Sequence, residues 1–194
     1  MYREYQEKLF NRINHTQFIE KEETSSLTFE EGMQELVAMF SAIKLEGKQT
    51  FFIGNGGSSA IASHMTADFM KNGGMRTCNL YDNAVTTCMG NDYGYESIFS
   101  KPLKFLLDEG DLLVAISSSG NSQNIINAIE VAEEQKARVI TFTGFKENNR
   151  VKRLGDFNVY VPIEHYGIVE SIHNLLLQQI VDVILERDGN NEEV

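Results

Sequence analysis

Short apolar runs alternate with stretches of helical periodicity from residue 50 onward, and this alternation limits the fold more than any other feature. Each run is four or five residues long, the length of a buried strand rather than of a helix. The runs lie at 50–53, 77–80, 112–116, 139–142 and 157–161. Strands that alternate with helices form βαβ units around a parallel sheet, and the crossover helices cover both faces. The pattern therefore predicts a doubly wound α/β domain.

The helices of this domain follow its strands, and no linker or internal repeat divides the chain. They are predicted near 58–72, 94–108, 122–136 and 168–186. Hydrophobic residues make up 42% of the 194 residues, which is enough for one core of ordinary size. We therefore expect a single domain over 1–194.

The first 48 residues carry helical periodicity and are predicted to form an amino-terminal helical extension. Met33, Leu36 and Phe40 recur at helical spacing and give one apolar face. Ser26 or Thr28, followed by two glutamates, is typical of a helix start. A single-domain core leaves too little room for this face, so we expect 1–48 to pack between the subunits of a homo-oligomer.

Charge and composition limit the partners of the chain. The formal charge of −11 disfavours nucleic acids and anionic membranes, because both require clustered Lys and Arg. The charged amino terminus lacks the apolar segment of a signal peptide, and no uninterrupted apolar run approaches the roughly 20 residues that cross a bilayer. Cys78 and Cys88 do not have metal-ligand spacing, and reduced thiols are expected rather than a disulfide. These features predict a cytoplasmic protein.

A glycine-rich turn follows the first of these strands and leads into a helix. Its sequence is Gly54-Asn55-Gly56-Gly57-Ser58-Ser59. Glycines let backbone N–H groups approach a ligand closely, and Ser58 stands where the helix begins. The turn lacks the Lys-Ser/Thr ending of a nucleotide P-loop and the full dinucleotide pattern. Its residues alone fit a ligand-binding loop and an ordinary tight turn equally well.

A serine-rich loop follows the strand at 112–116. Its sequence is Ser117-Ser118-Ser119-Gly120-Asn121-Ser122. Hydroxyl groups and the amides of a helix N-terminus can together neutralise a phosphate without any lysine. One serine would suffice to cap the helix, so four hydroxyls favour phosphate binding over a solvated capping turn. Ligands of such sheets bind outside the carboxyl ends of the strands, where both loops are expected.

Four motifs in and around these loops occur together in one family. They are GNGGSS at 54–59 followed by His64, GNDYG at 90–94, ISSSGNS at 116–122 and TFTG at 141–144. In this combination the chain resembles the sugar isomerase (SIS) domain family, and within it the sedoheptulose 7-phosphate (phosphoheptose) isomerase group. The resemblance covers nearly the whole chain. It implies a three-layer, flavodoxin-like sandwich with a five-stranded parallel sheet, assembled as a homotetramer with active sites at subunit interfaces.

The resemblance also implies which residues bind the ligand, a phosphorylated sugar. The serine loop would hold the phosphate through Ser117, Ser119 and Ser122, with Ser118 and Asn121 nearby. The glycine loop and one later position would contact the sugar. The residues expected there are Asn55, Gly56, Gly57, Ser58 and Asp92.

The family's reaction moves a carbonyl between C1 and C2 through an enediol, which requires a base and an acid. The family supplies a His and a Glu from the helix after the glycine loop, and a Gln and a His from the last helix. The corresponding residues here are His64, Asp68, Glu170 and Gln178. Asp68 is the expected base, assisted by Glu170 or His64. Some family members bind zinc with these four positions, so a zinc ion held by His64, Asp68, Glu170 and Gln178 is an alternative to cofactor-free catalysis.

Three of these four positions depart from the family, and so does Ile168, where the family has an arginine. Gln178 cannot exchange a proton as a histidine does near neutral pH, and glutamine is a poor metal ligand. Two functions therefore stay open. One is an aldose–ketose isomerase for sedoheptulose 7-phosphate or another phosphosugar, and the other is a non-catalytic phosphosugar-binding or protein-recruiting module. His173 fits an interior residue and a functional one equally well.

Overall fold

A six-stranded, mostly parallel sheet forms the centre of the fold. The computed structural model describes residues 1–21, 23 and 25–189. The strands are β1 (Gln17–Glu20), β2 (Gln49–Gly54), β3 (Arg76–Asn79), β4 (Leu112–Ser117), β5 (Arg138–Gly144) and β6 (Phe157–Val161). The helices are α1 (Tyr2–Asn14), α2 (Phe29–Leu45), α3 (Gly57–Lys71), α4 (Asn83–Tyr93), α5 (Ser100–Leu106), α6 (Gln123–Glu134) and α7 (Tyr166–Arg187). The α/β class and the five parallel strands are confirmed.

The strand order is β1-β6-β5-β4-β2-β3, and only β1 runs antiparallel to its neighbour. The predicted count of five strands is wrong by this one strand, which lies inside the segment predicted to be helical. Its four residues are too few to show a period on their own. Phe18 is fully buried, and the edge of β6 provides the hydrogen bonds that make this segment a strand.

Two apolar cores lie on opposite faces of the sheet, as a doubly wound fold requires. Neighbouring residues of a strand point to opposite faces, so Phe52 enters the core beneath α2, α3 and α7, and Phe51 enters the core beneath α5 and α6. In the first core the Phe40 and Phe69 rings lie 4.6 Å apart, centroid to centroid. This packing fixes α3 against the sheet and so positions the glycine loop.

The apolar face of α2 lies inside this same core. Thr28 caps the helix in a reciprocal pair with Glu31, and Leu36 and Phe40 are fully buried within the chain. The expectation that this face packs between subunits is therefore wrong for α2. By contrast, α1 has no buried residue, and Phe10 is 64% exposed. A role for α1 in oligomerisation stays a prediction.

The segment from 80 to 108 was predicted to contain one helix and contains more. α4 was not predicted, and the helix expected near 94–108 is a short 3-10 turn at Tyr95–Ser97 followed by α5. Asp82 caps α4 by accepting a hydrogen bond from the Val85 N–H at 2.9 Å. No residue of α4 is buried. Without an apolar face the helix carries no periodic signal in the sequence.

α7 is the one helix among the described residues that is long and apolar enough to cross a membrane, with a mean hydropathy of 1.4. Length and composition are weak evidence for a membrane-spanning helix, because a buried core helix meets the same two criteria. Ile172, Leu176 and Ile180 are fully buried against the sheet. α7 is thus the central helix of the first core, and its amino terminus is held at the carboxyl edge of the sheet.

Candidate functional site

The glycine loop (54–59) and the serine loop (117–122) meet in a pocket of about 370 Å³ at the carboxyl ends of β2 and β4. Nine residues predicted for the site line it. They are Asn55, Gly56, Gly57, Ser58, Ser117, Ser118, Ser119, Ser122 and Glu170. Ile116 and Tyr166 complete the wall. The two loops thus share one cavity because β2 and β4 are neighbours in the sheet.

A wider groove of about 1030 Å³ lies beside β1 and the segment between β5 and β6. Its lining includes three basic and three acidic side chains. They are Lys21, Lys152, Arg153, Glu20, Glu23 and Glu147. Because these charges balance and neither ligand loop reaches the groove, size alone does not make it the candidate site. The smaller pocket combines the loops, the hydroxyls and a carboxylate.

Tyr81 fixes the start of the glycine loop. Its hydroxyl donates to the Gly54 carbonyl at 3.0 Å and accepts from the Gly54 N–H at 2.6 Å. Burial is the main cause that raises the pKa of Tyr81, so the phenol keeps its proton near neutral pH. Gly56 has a φ of +56°, a conformation that favours glycine at the turn into α3.

Glu170 brings the one carboxylate among the described residues that line the pocket. It lies in the first turns of α7, and its carboxylate packs directly against Gly57 at the start of α3. Burial raises the pKa of Glu170, since desolvation disfavours its charged form. A carboxylate with a raised pKa is a better proton acceptor than one in water.

The closeness of Glu170 and Gly57 leads to a testable prediction. A Cβ added at Gly57 would overlap the Glu170 carboxylate, which is the flexible end of its side chain. We expect Gly57→Ala to displace this carboxylate and lower activity by about tenfold or more, with a loss of unfolding free energy below about 1 kcal/mol. Steady-state kinetics and a denaturant titration measure the two effects. Ala38→Ser, at an exposed position of α2 away from the pocket, is the control.

The serine loop offers an unpaired donor to the pocket. Ser118 is 4% exposed, and its Oγ has no hydrogen-bond partner among the described residues. A buried hydroxyl without a partner is costly, so a ligand oxygen at this position would be stabilised. Asn121 does not line the pocket. It accepts from the Arg150 N–H at 3.2 Å and donates to the Ser119 carbonyl at 2.9 Å, so it shapes the loop instead.

His64 and Asp68 form a pair outside the pocket of their own chain. Their Nε2 and Oδ2 atoms are 3.5 Å apart, and His64 is half exposed. His64 lies seven residues and Asp68 eleven residues beyond Gly57, which places them about 10 and 16 Å along α3. Neither lines the pocket.

Gln178 and Asp92 also lie away from the pocket. Gln178 stands eight residues beyond Glu170, about 12 Å along α7, and donates to Asp182 at 2.9 Å. Asp92 is exposed on α4, where Asn91 donates to it at 2.8 Å. Within one chain, the expected catalytic constellation is therefore split between Glu170 in the pocket and the other positions outside it.

The four positions expected to hold zinc do not gather in this chain. Across the described residues, no three His, Cys, Asp or Glu side chains lie close enough together to hold a metal ion. Gln178 is a neutral amide engaged with Asp182. The residues of a single chain therefore do not fit a zinc ion, and zinc binding stays a prediction without support from this geometry.

Three residues around the site were not predicted. Tyr166 is the first residue of α7, and its half-exposed ring packs edge-on against Phe145 at 4.6 Å. Asn124 and Tyr95 both hydrogen-bond to the Asn55 side chain. Asn124 lies two residues after the ISSSGNS motif, and this proximity was the only available signal.

His173 is an interior residue. It is fully buried, and its Nε2 lies 3.1 Å from the Thr143 carbonyl, so the ring donates there as the Nε2–H tautomer. Burial lowers the pKa of His173 to about 4. Of the two roles left open by the sequence, the geometry favours the structural one.

Known proteins share both the sequence and the fold. Residues 15–144 match the family model of the SIS domain. The phosphoheptose isomerase of Aliarcobacter butzleri is 33% identical over 178 residues, which cover 87% of this chain and 93% of that protein. The phosphoheptose isomerase of Fusobacterium nucleatum subsp. nucleatum is 34% identical over 170 residues, covering 85% and 84%.

A solved structure agrees with these matches. The phosphoheptose isomerase of Neisseria gonorrhoeae superposes with a TM-score of 0.74 at 31% identity, covering 78% of this chain and 84% of that one. The chain belongs to the SIS domain family and, within it, to the phosphoheptose isomerase group.

Proposed function

We propose that this protein is an aldose–ketose isomerase that converts sedoheptulose 7-phosphate to heptose 7-phosphate. One observation carries the proposal: the Glu170 carboxylate lies in the pocket that joins the glycine loop to the serine loop. The pocket thus combines a phosphate-binding loop with a group that can move a proton. The names of the relatives support the same reaction.

The phosphate end of the substrate fits the serine loop. Ser117, Ser118, Ser119 and Ser122 bring hydroxyls to the pocket wall, and α6 begins directly after them. The N–H groups of a helix N-terminus carry a partial positive charge that favours an anion. The unpaired Ser118 Oγ is available as a donor to a phosphate oxygen. An acidic chain can therefore bind a phosphate without a lysine in the pocket.

Isomerisation then requires one proton to move between neighbouring carbons. A base removes a proton from C1 of the ketose, and the electron pair forms the C1–C2 double bond of an enediol as the C2 oxygen gains a proton. The C1 hydroxyl loses its proton to become the aldehyde, and C2 takes a proton to close the balance. C1 is oxidised and C2 is reduced, so no external oxidant is needed. Asp68 is the proposed base for the carbon-bound proton, and Glu170, the carboxylate of this pocket, assists by moving a proton between the two oxygens.

The proposed base Asp68 can act on this pocket only from a neighbouring subunit. It lies about 16 Å along α3 from its own pocket, so the proposal requires a homotetramer with active sites between subunits. In that arrangement the His64–Asp68 pair of one protomer faces the pocket of another. Oligomeric state and a cytoplasmic location are parts of this proposal.

We expect Asp68→Asn to lower turnover by about tenfold or more, because the amide cannot accept the proton that a carboxylate takes. The substitution keeps the shape of the side chain, and the loss should fall on kcat rather than on KM. Asp182→Asn, on the exposed side of α7, is the matched control. Full turnover by the Asp68 variant would remove Asp68 from the mechanism and leave proton transfer to Glu170.

A second candidate is a phosphosugar-binding module without turnover. The observation that favours it is that no histidine stands among the described residues of the pocket wall. Gln178, at the family's catalytic histidine position, donates to Asp182 and cannot exchange protons near neutral pH. In this candidate function the serine loop still binds the phosphate of the sugar, but no enediol forms.

NMR of the purified protein with sedoheptulose 7-phosphate, with and without added zinc, tests both candidates. Appearance of the aldose signals without zinc supports the isomerase. Ligand-induced shifts without conversion support the binding module instead. Conversion only with zinc would show that subunit assembly gathers a metal site that the single chain lacks.

A further inference from the structure

The Asn55 and Asn124 side chains form a closed pair of hydrogen bonds between the two ligand loops. Asn55 Nδ2 donates to Asn124 Oδ1 at 2.9 Å, and Asn124 Nδ2 donates to Asn55 Oδ1 at 2.9 Å. Each amide is thus both donor and acceptor to the other. Such a pair has one relative orientation, since sliding either side chain breaks both bonds.

The two partners lie on different parts of the site. Asn55 is in the glycine loop and lines the pocket. Asn124 is 2% exposed, lies in the first turn of α6 directly behind the serine loop, and does not line the pocket. The pair therefore links the glycine loop to the helix whose amino terminus follows the serine loop.

A third bond completes the fixation of Asn55. The Tyr95 hydroxyl donates to Asn55 Oδ1 at 2.9 Å, so this oxygen accepts two hydrogen bonds. Asn124 uses one of the two N–H groups of Asn55 Nδ2, which leaves the other for a ligand. The orientation of this N–H in the pocket is thus decided by a buried residue that does not line the pocket.

We propose that Asn124 is a positioning residue that fixes the distance and orientation between the glycine loop and the serine loop, acting through Asn55. The proposal extends the proposed function, because it assumes that one sugar phosphate contacts both loops at once. The amide is chemically required. An aspartate at 124 can accept but cannot donate, and its oxygen would face Asn55 Oδ1 as a second acceptor. An alanine leaves the Asn55 amide with no partner at 124.

The first test needs no ligand. Hydrogen exchange of the ligand-free protein compares wild type with Asn124→Asp, which keeps the side-chain shape. We expect exchange at 54–59 to become about tenfold faster, the effect of losing one to two hydrogen bonds, with no change in β5. Unchanged exchange at 54–59 would overturn the proposal whatever the substrate proves to be. Asn148→Asp, at an exposed position between β5 and β6, is the matched control.

The second test measures binding of sedoheptulose 7-phosphate by calorimetry in a double-mutant cycle of Asn55→Ala and Asn124→Ala. Acting through Asn55, Asn124→Ala should weaken binding about tenfold alone and less than about twofold in the Asn55→Ala background. Kinetics should show the loss in KM more than in kcat. Equal losses in both backgrounds would show a merely structural role and overturn the proposal. Wild type that binds no sugar phosphate would instead overturn the proposed function, and the exchange result would still decide the role of Asn124.

Discussion

Glu170→Gln should lower the turnover number for sedoheptulose 7-phosphate by about 100-fold or more, because positioned acid–base groups contribute on the order of 10²–10⁴ to a rate. The substitution keeps the size of the side chain and its packing on Gly57, so the fold and the binding of the phosphate should persist. Steady-state kinetics and calorimetry measure the two quantities separately.

The pH profile gives an independent signature of the same group. Burial raises the pKa of Glu170, and Glu170 can accept a proton only as the carboxylate. Activity of wild type should therefore fall as the pH decreases through this raised pKa, and Glu170→Gln should lose this acid limb. Glu186→Gln, at an exposed position of the same helix, is the control. Full activity of Glu170→Gln would remove Glu170 from the mechanism and leave proton transfer to Asp68 and His64 of a neighbouring subunit.

Lowering the pH should destabilise the protein through His173. In the fold, burial lowers the pKa of this ring to about 4 from the ordinary histidine value of 6.5. The unfolded chain therefore binds a proton between about pH 6.5 and 4 that the folded chain does not. The contribution of His173 to the free energy of unfolding is therefore fully present above this pH window. It decreases by about 3 kcal/mol in total as the pH falls through the window.

His173→Gln tests this prediction, because glutamine can donate to the Thr143 carbonyl but does not titrate. Denaturant titrations at several pH values between 4 and 7 should show a smaller acid-induced loss for this variant than for wild type. His15→Gln, at an exposed position directly after α1, controls for the removal of one histidine. An equal loss in wild type and His173→Gln would show that other groups cause the acid sensitivity.

Local patterns predicted those elements whose apolar faces are buried by the chain itself. The Thr28 start of α2 and the run at 157–161 agree with the structure because cap and burial signals are local. β1 and α4 were missed for opposite reasons. β1 is a strand only because β6 offers it an edge, and α4 has no buried face to produce a period.

The site residues also divide into those with a local signal in the sequence and those without one. The sequence predicted the eight loop residues of the pocket, since both loops follow strands and the carboxyl ends of parallel strands share one edge. The family resemblance also grouped Asp68 and Gln178 with Glu170. Spacing along a helix indicates a shared face, but it does not indicate at which height along the helix a pocket lies. Asp68 lies about 16 Å beyond Gly57 along α3 and Gln178 about 12 Å beyond Glu170 along α7, and neither lines the pocket.

By itself, the sequence determined the α/β class, the family and the two ligand loops, because these depend on residues close together in the chain. Only the tertiary structure decided that Glu170 enters the pocket, that Asn124 holds Asn55, and that His173 is interior. Those three facts depend on how α3, α6 and α7 dock on the sheet. Docking is the sum of many contacts between distant residues, and no local pattern carries it.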